Sequence, residues 1–464
     1  MFDCAQNPPI SNKFARPASP IARRSPVFPD VSKRFAALAA AASVALGVTA
    51  CAGSPEPDSA PLSSGPVTVE FWGWAPGYQE AADLFNSTHT DVKVKFNKTP
   101  SGSKGGYQQM LNAVKGGSAP CLAQVGLETL PTFVVEGALA DVGTHAAGDG
   151  GKFVDWTWNQ VQVGKAVFAA PVDTGPMVLY YRKDVFENFG VAVPTTWDEY
   201  EQAAKKIKAA DPSYFITSFD SGDLYTFAGY AWQNGAEWFG TQGESWKVDV
   251  AGGDTAKVAE YWQRLLSEKL VKPEPGFDKE WNADVNSGKV ASYVGASWAS
   301  ALIKDNAPDG KGKWGVAPMP QWTAGEKKAG NAGGSSTAVL KGCKDPKQAW
   351  DFAVWMSTDP AAYKILIEKA GLYPAAKSLL DLPELNAPSE YFAGQNLGAA
   401  FKEAANNTDT GWRWGPTMTQ VSTDFGDAAG KAVTGTGTLP DALKAVQDKT
   451  VGAIKQKGLS VAGG

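Results

Sequence analysis

The clearest signal in the chain is a regular exchange between two hydrophobic periods. Val67–Trp72 alternates apolar and polar residues, with Val67, Val69 and Phe71 on one side and Thr68, Glu70 and Trp72 on the other. That period of two predicts a half-buried strand. Tyr78–Ser87 changes to a helical spacing, with Tyr78, Ala81, Ala82 and Phe85 on one face. Val92–Phe96 alternates again, Tyr107–Lys115 is helical and is stopped by Gly116 and Gly117, and Leu122–Val125 is a short, fully apolar strand. Strand–helix–strand–helix–strand with short links predicts an open parallel sheet covered by helices on both faces.

The pattern breaks in Gly164–Phe186. Two apolar runs, Ala166–Pro171 and Met177–Tyr181, flank the small polar stretch Asp173–Thr174–Gly175. Each run reads as a strand, and the break is too short for a helix. Two strands joined by a polar crossing near the middle of the chain suit a hinge between lobes, with its polar groups facing a cleft. The same spacing also suits a hairpin within one domain.

Beyond it a new series begins. Thr196 to Glu199 is a capping box opening a helix with Trp197, Tyr200, Ala204 and Ile207 inward, ended by Asp211–Pro212. Tyr214–Phe219 reads as a strand, Leu224–Trp232 and Ala256–Glu268 as helices, and Lys289–Val294 as a strand. Asp345–Pro346 and Asp359–Pro360 each place Asp at an N-cap and Pro at the first helical position. Gly371 closes the second of these helices. Leu439–Lys455 is a last amphipathic helix. No repeat of fixed period and no heptad pattern is present.

The residues around the hinge carry a family resemblance. FAAPVDTGPMVLYYRKDVFENFGVAVPTTWDEYEQAAKKIK resembles the crossover of the extracellular sugar-binding proteins of bacterial ABC importers, extracellular solute-binding family 1, which includes maltodextrin-binding protein. The matching features are the Pro before the crossing, the run Tyr180–Tyr181–Arg182–Lys183–Asp184, and the P-x-T-W-D-E helix start. The likeness extends over nearly all of the chain after about Pro66. It implies an α/β, two-lobed periplasmic-binding-protein-like fold of type II, its lobes discontinuous and joined by two or three crossings at a hinge. The first lobe is expected to comprise residues 66–172 plus 285–372, and the second 176–284 plus 373–464. Lys289–Val294 is then the return to the first lobe.

Composition changes the picture at the N-terminus. The first 34 residues carry six basic and two acidic side chains, so the rest of a chain of net charge −5 carries −9. An acidic body argues against nucleic acid and anionic membrane surfaces as partners. Lys33–Arg34 precedes the apolar run Phe35–Ala50, which ends in small residues before Cys51. At about 16 residues the run is shorter than a membrane span of about 20, and reads as a signal peptide over residues 31–50. Cys51 resembles the lipidated cysteine of a bacterial lipobox; the alternative is a non-lipidated cut near Ala52. Residues 1–30 are Pro-rich and do not fit a signal peptide, so translation is expected to start at Val31. Residues 51–65 read as a Pro/Ser/Gly tether. The expected location is the extracellular face of the cell membrane, lipid-anchored.

Chemistry is conspicuous first by what is missing. His89 and His145 are the only histidines and neither belongs to a metal-spaced cluster, so no metal and no cofactor are expected. There is no P-loop, and the nearest approach to a nucleophile elbow, Gly295–Ser297–Ala299, lacks its last Gly. Carboxylates are plentiful, so counting alone leaves a glycosidase pair open.

What is abundant is Trp, 17 residues against 6 Met. Indole and phenol rings cover the C–H face of a sugar while carboxylates, amides and Arg take its hydroxyls. The candidate ligand residues are Trp74, Glu128, Asp173, Asp223, Tyr225, Trp298, Trp412, Arg413 and Trp414. Trp74 follows the first strand and Asp173 lies in the hinge. Glu128 matches the position of a sugar-binding carboxylate in the family, Asp223 and Tyr225 an acidic–x–aromatic motif, and Trp298 a stacking site normally preceded by Pro. Trp412, Arg413 and Trp414 form WRWGP before the penultimate helix, whereas the family's stacking Trp corresponds to a position near Ser422. For each Trp, core packing is the competing role; for Glu128 and Asp223, a solvated carboxylate or helix cap.

The resemblance also places Cys121 and Cys343 at edges of the same lobe, where a disulfide is expected; two separate buried thiols are the alternative. The function implied is capture of a sugar, an oligosaccharide in view of the many aromatics, by a monomer that closes on it and docks on a permease pair driven by an ATPase. A secreted carbohydrate-active enzyme, or a binder of a polyamine, amino acid or glycerophosphodiester, are the other readings.

Overall fold

The computed structural model describes residues 65–463. The expected signal peptide, Cys51 and most of the expected tether lie outside them. The chain forms two α/β lobes.

The first lobe opens with β1 (Val67–Gly73), α1 (Tyr78–Thr88), β2 (Val92–Lys98), α2 (Gly106–Lys115), β3 (Leu122–Gly126), α3 (Leu130–Val135) and β4 (Ala169–Pro171). The apolar run starting at Ala166 is not one strand: Ala166–Val167 turns back onto Gln162–Val163, and Ala169–Pro171 joins the main sheet. After the crossing come β5 (Met177–Arg182), α4 (Trp197–Ala210), β6 (Thr217–Phe219), α5 (Leu224–Gln233), β7 (Val271–Pro273), β8 (Ser292–Ala296) and β9 (Trp314–Pro318). The chain then returns to the first lobe with β10 (Ser335–Val339), α6 (Pro346–Thr358) and α7 (Pro360–Ala370). It ends in the second lobe with α8 (Met418–Val433) and α9 (Leu439–Gln456).

The first sheet has the order β2-β1-β3-β10-β4. β1 runs parallel to β2 and β3, with Val69 opposite Val94 and Phe71 opposite Leu122. β10 enters antiparallel between β3 and β4, with Ala338 opposite Ala123. The sheet is therefore mixed rather than parallel throughout. Its core holds Phe71, Tyr78, Phe85, Trp350 and Phe352. Cys121 and Cys343 form a disulfide with Cα atoms 4.4 Å apart. It sits at the ends of the neighbouring interior strands β3 and β10, not at the sheet edge.

In the second lobe β5 is central, with β8 and β9 antiparallel on either side: Tyr180 lies opposite both Tyr293 and Val316. A parallel bridge from Phe215 to Val290 ties the β6–β7 pair to this sheet. The expected return to the first lobe at Lys289–Val294 is thereby corrected. β8 hydrogen-bonds to β5, and Tyr293, Val294 and Ala296 bury themselves in the second-lobe core. Residues 285–332 thus belong with the second lobe, and the return crossing lies at Ala332–Ser335. Leu372, Ala375, Ala376 and Leu379 pack in the first-lobe core while Tyr373 packs in the second, so the chain runs along the boundary from Leu372 to Leu379 before it enters the second lobe.

Local sequence explains the helix that follows β5. Thr196 accepts from Glu199 N at 3.1 Å, and the Glu199 side chain returns to Thr196 N, closing the capping box. Trp197 then drops into the core, donating Nε1 to Gln233 Oε1 at 2.9 Å, and Tyr230 stacks on Trp262 at 4.9 Å. A fully buried side chain of this size contributes about 1.5–3 kcal/mol. Asp359 caps Ala361 and Ala362 as its spacing predicts, whereas Asp345 makes no side-chain cap.

Candidate functional site

Three chain segments run side by side between the lobes. Asp173–Thr174 pairs antiparallel with Tyr373–Pro374. Ser335 N donates to Asp173 Oδ1 at 2.8 Å, and Gly175 N donates to Asn331 Oδ1 at 2.8 Å. A Cβ on Gly175 would sit 2.0 Å from the Ala332 carbonyl oxygen, so the crossings approach as closely as they do only because the residue is glycine.

The first-lobe wall is built at the end of β3. Gln124 Oε1 accepts from Trp74 N and Ala75 N at 2.9 and 3.1 Å, while its Nε2 donates to Ser335 Oγ at 3.1 Å. This ties the loop carrying Trp74 to the hinge. Two residues beyond the end of β3, the Glu128 carboxylate folds back over Gly126, where an added Cβ would lie 2.0 Å from Oε1 and 2.2 Å from Oε2. Tyr107 OH donates to Glu128 Oε1 at 2.6 Å and accepts from Gly126 N at 3.0 Å. The Tyr107 ring stands edge-on to Trp74, with centroids 5.6 Å apart. Glu128 is only 5% exposed, and its Oε2 has no hydrogen-bond partner among the described residues.

These surroundings perturb both carboxyl groups. Burial raises Glu128 to about 7, against the lowering by the Tyr107 and Thr129 hydroxyls. Burial likewise raises Asp173 to about 7; its bonds to Ser335 oppose this and the Glu128 charge adds to it. The Tyr107 phenol is pushed up by burial and by the Glu128 charge. Ser335 joins the hinge to the first-lobe wall: its N–H donates to Asp173 and its hydroxyl accepts from Gln124, which holds the Trp74 loop.

The second-lobe wall comes from α5 and the segment before α8. Asp223 is the N-cap of α5, its Oδ1 accepting from Thr226 N at 3.0 Å. Tyr225, on the first turn, brings its hydroxyl to 3.4 Å from Thr129 Oγ1 across the lobes. Trp414 stands edge-on to Tyr225 at 6.0 Å. Trp298 is half-buried beside the return crossing, donating Nε1 to the Ala332 carbonyl at 3.0 Å.

Three expectations are revised here. Trp412 is 2% exposed and lies in the second-lobe core, stacked on Trp232 with centroids 4.7 Å apart and rings 7° from parallel. That face is filled by another indole, not free for a sugar. Arg413 is exposed, and its Nη1 turns back to the Trp412 carbonyl. Glu128, Asp173, Trp74 and Tyr225 are therefore linked into one seam, whereas Trp414, 3% exposed in the second-lobe core, backs Tyr225 from behind and is revised as a ligand residue too. Asp223 borders it as a cap and Trp298 flanks the crossing. Tyr107, Gln124 and Thr129 complete the seam and were not expected from sequence. Tyr107 read only as the first residue of the second helix, and its hydroxyl left no periodic signal.

A single stripe of the first lobe also touches the second. Besides Thr129, Thr132 Oγ1 accepts from Met418 N at 2.9 Å, and Glu136 pairs with Lys457 as well as with Lys115 of its own lobe, the latter at 3.1 Å. Positions 129, 132 and 136 have the i, i+3, i+7 spacing of one helix face. From the other side Gln160 Nε2 donates to the Trp412 carbonyl at 2.9 Å. The lobes are thus closed on the seam. A separate cavity of about 370 Å³ opens in the second lobe among Pro194, Pro318, Met319, Ala400 and Ala404, and contains none of these residues. Among the described residues no His/Cys/Asp/Glu cluster could hold a metal, and no helix is long and apolar enough to cross a membrane.

Residues 73–363, more than half of the chain, match the bacterial extracellular solute-binding protein family. Similar proteins include the arabinooligosaccharide-binding protein of Bacillus subtilis, 25% identical over 85% of this chain and 93% of that one. The lactose-binding protein of Rhizobium radiobacter is 24% identical over 84% and 94%. The ABC-transporter-associated binding protein of B. animalis subsp. lactis, solved with β-1,6-galactobiose, is 31% identical with a TM-score of 0.78, covering 85% of this chain and 99% of that one. The galacto-N-biose/lacto-N-biose I-binding protein of Bifidobacterium longum, solved with lacto-N-biose, is 30% identical with the same TM-score, covering 86% and 100%. The two α/β lobes are those of the type II periplasmic-binding-protein fold. The chain belongs to the bacterial extracellular solute-binding protein family.

Proposed function

We propose that this protein is the substrate-binding component of an ABC sugar importer, capturing a short neutral oligosaccharide between its lobes and presenting it to a membrane permease pair. The observation that carries this reading is Glu128. A buried carboxylate with one oxygen held and the other unpartnered is costly unless a ligand hydroxyl supplies the missing bond. Trp74 and Tyr225, both partly exposed, supply ring surface beside it. Two aromatic platforms and two or three charge-assisted hydrogen bonds, after association costs, leave about −8 kcal/mol, near micromolar. Ligand contact to both walls stabilises the closed arrangement over the open one. The names and bound sugars of the similar proteins favour disaccharides and short oligosaccharides over single rings. We infer a monomer that performs no reaction, anchored outside the membrane through Cys51.

A thermal-shift screen of residues 65–464 against mono- and oligosaccharides tests this. A sugar at 100 times its Kd stabilises by about 2.7 kcal/mol. A shift confined to one oligosaccharide series, with the sugar recovered intact, supports the reading. Cleavage of the sugar replaces it with the enzyme. No shift with any sugar overturns it in favour of another solute, a polyamine before a phosphodiester, because Arg413 is not in the seam.

A further inference from the structure

We propose that Tyr107 is a positioning residue for ligand recognition: its phenol fixes the Glu128 carboxylate through one oxygen, so that the other, Oε2, buried and without a partner among the described residues, is left for a ligand hydroxyl once the lobes part. The inference rests on the sugar-binding reading for its consequence, but on geometry for its substance. Gly126 N–H, Tyr107 O–H and Glu128 Oε1 form a chain of two hydrogen bonds, at 3.0 and 2.6 Å. All three groups are buried. Each link polarises the next, and the phenolic hydrogen can point only to the carboxylate because its oxygen is already accepting from Gly126 N–H. The carboxylate can neither rotate nor exchange its oxygens without breaking the chain. Gly126 leaves no Cβ where the carboxylate lies, so backbone and side chain are matched to this one pose.

The arrangement also decides the protonation state. Asp173, Tyr107 and Tyr225 are the titratable groups coupled to Glu128, and among the described residues no Lys or Arg pairs with it. In the absence of a cation, the Tyr107 hydroxyl is the strongest influence opposing the rise caused by burial. An ionised Glu128 accepts from the sugar. A protonated one commits a hydrogen and loses that acceptor, so affinity is expected to fall as pH drops through about 7.

The test is Tyr107→Phe. In the ligand-free protein, the Glu128 carboxyl carbon followed by NMR from pH 5 to 9 reports the titration midpoint. Loss of one hydrogen bond to a charged group, about 1.5 kcal/mol, is expected to raise it by about one pH unit. Affinity for lactose and β-1,6-galactobiose at pH 7.5 is expected to fall about tenfold, with its pH dependence displaced upward by the same amount. An unmoved midpoint overturns the proposal, whatever the affinity does. Should neither sugar bind the unaltered protein, the functional reading is at fault, and the ligand-free midpoint still decides this one. Should Tyr107→Phe fail to fold, 3-fluorotyrosine at position 107, a stronger donor, is expected to lower the midpoint; no change there overturns the proposal equally.

Discussion

The contact between Thr132 and Met418 lets lobe closure be tested without touching a ligand group. Met418 is the first residue of α8, so its N–H has no acceptor within the helix. Thr417, at the N-cap, does not supply one. The acceptor comes from the other lobe, Thr132 Oγ1 at 2.9 Å. Met418 is fully buried and Thr132 is 5% exposed, so no solvent substitutes while the lobes are closed. In Thr132→Val the shape is kept and the acceptor removed. A buried N–H left unmade costs about 1–3 kcal/mol. When the lobes part, water reaches that N–H, so the cost falls on the closed form alone. If the ligand-free protein is mostly open, apparent affinity scales with the closure constant, and Kd is expected to rise about 5- to 150-fold. Titration of the sugar identified by the thermal-shift screen against intrinsic Trp fluorescence measures it, with Thr132→Ser, which keeps a hydroxyl, expected near the unaltered value. An unchanged Kd in a folded Thr132→Val refutes the reasoning. So does a fall in ligand-free melting temperature worth the same free energy, which would mean that the contact persists with the lobes apart.

Lys457→Met removes the ion pair to Glu136, whose partners are partly exposed; such pairs are worth about 0.2–1 kcal/mol, so Kd is expected to rise up to about fivefold at low salt, and by nothing measurable near 1 M. Reducing the Cys121–Cys343 bridge, which spans 222 residues of sequence, is expected to cost about 2–4 kcal/mol, read as a lower urea midpoint with dithiothreitol than without. Glu128 and Asp173, both raised to about 7, hold their protons in the folded state at pH values where the unfolded chain has lost them. Ligand-free stability is therefore expected to increase by a few kcal/mol at most as pH falls from about 8 to about 5, opposite to affinity. Glu128→Gln with Asp173→Asn should flatten that profile; an unflattened profile would place its origin elsewhere.

The element pattern was legible because alternation and capping are local. Val67–Trp72 could not be mistaken for a helix, and Thr196 with Glu199 marks its helix start to the residue. Strand partners are not local. The apolar run after Lys289 says that a strand is buried there, not that it lies against Met177–Arg182, and so the lobe boundary was misplaced by nearly fifty residues. The site was partly legible for the same reason. Glu128, Asp173 and Tyr225 stand out as polar or aromatic residues at strand ends and helix starts. Trp412 stood out equally, yet its stacking on Trp232 depends on two segments far apart in sequence. Tyr107 and Thr132 were silent, since each counts toward an ordinary helical face and acts through a single hydroxyl.

The position of β10 has a consequence for how the chain reaches this shape as it leaves the membrane. The strand occupies the interior of the first sheet, between β3 and β4, but is made some 160 residues after β4 and some 210 after β3. Until Ser335–Val339 emerges, β3 and β4 have no strand to join them, and the edge of β3 is open. The second-lobe strands emerge in that interval and can pair among themselves. The first lobe is thus started first and finished late, and such delayed long-range pairing is slow. Cys343 lies just beyond β10, so the Cys121–Cys343 bond can close only after the strand that completes the sheet has been made, and it locks that late arrival to β3.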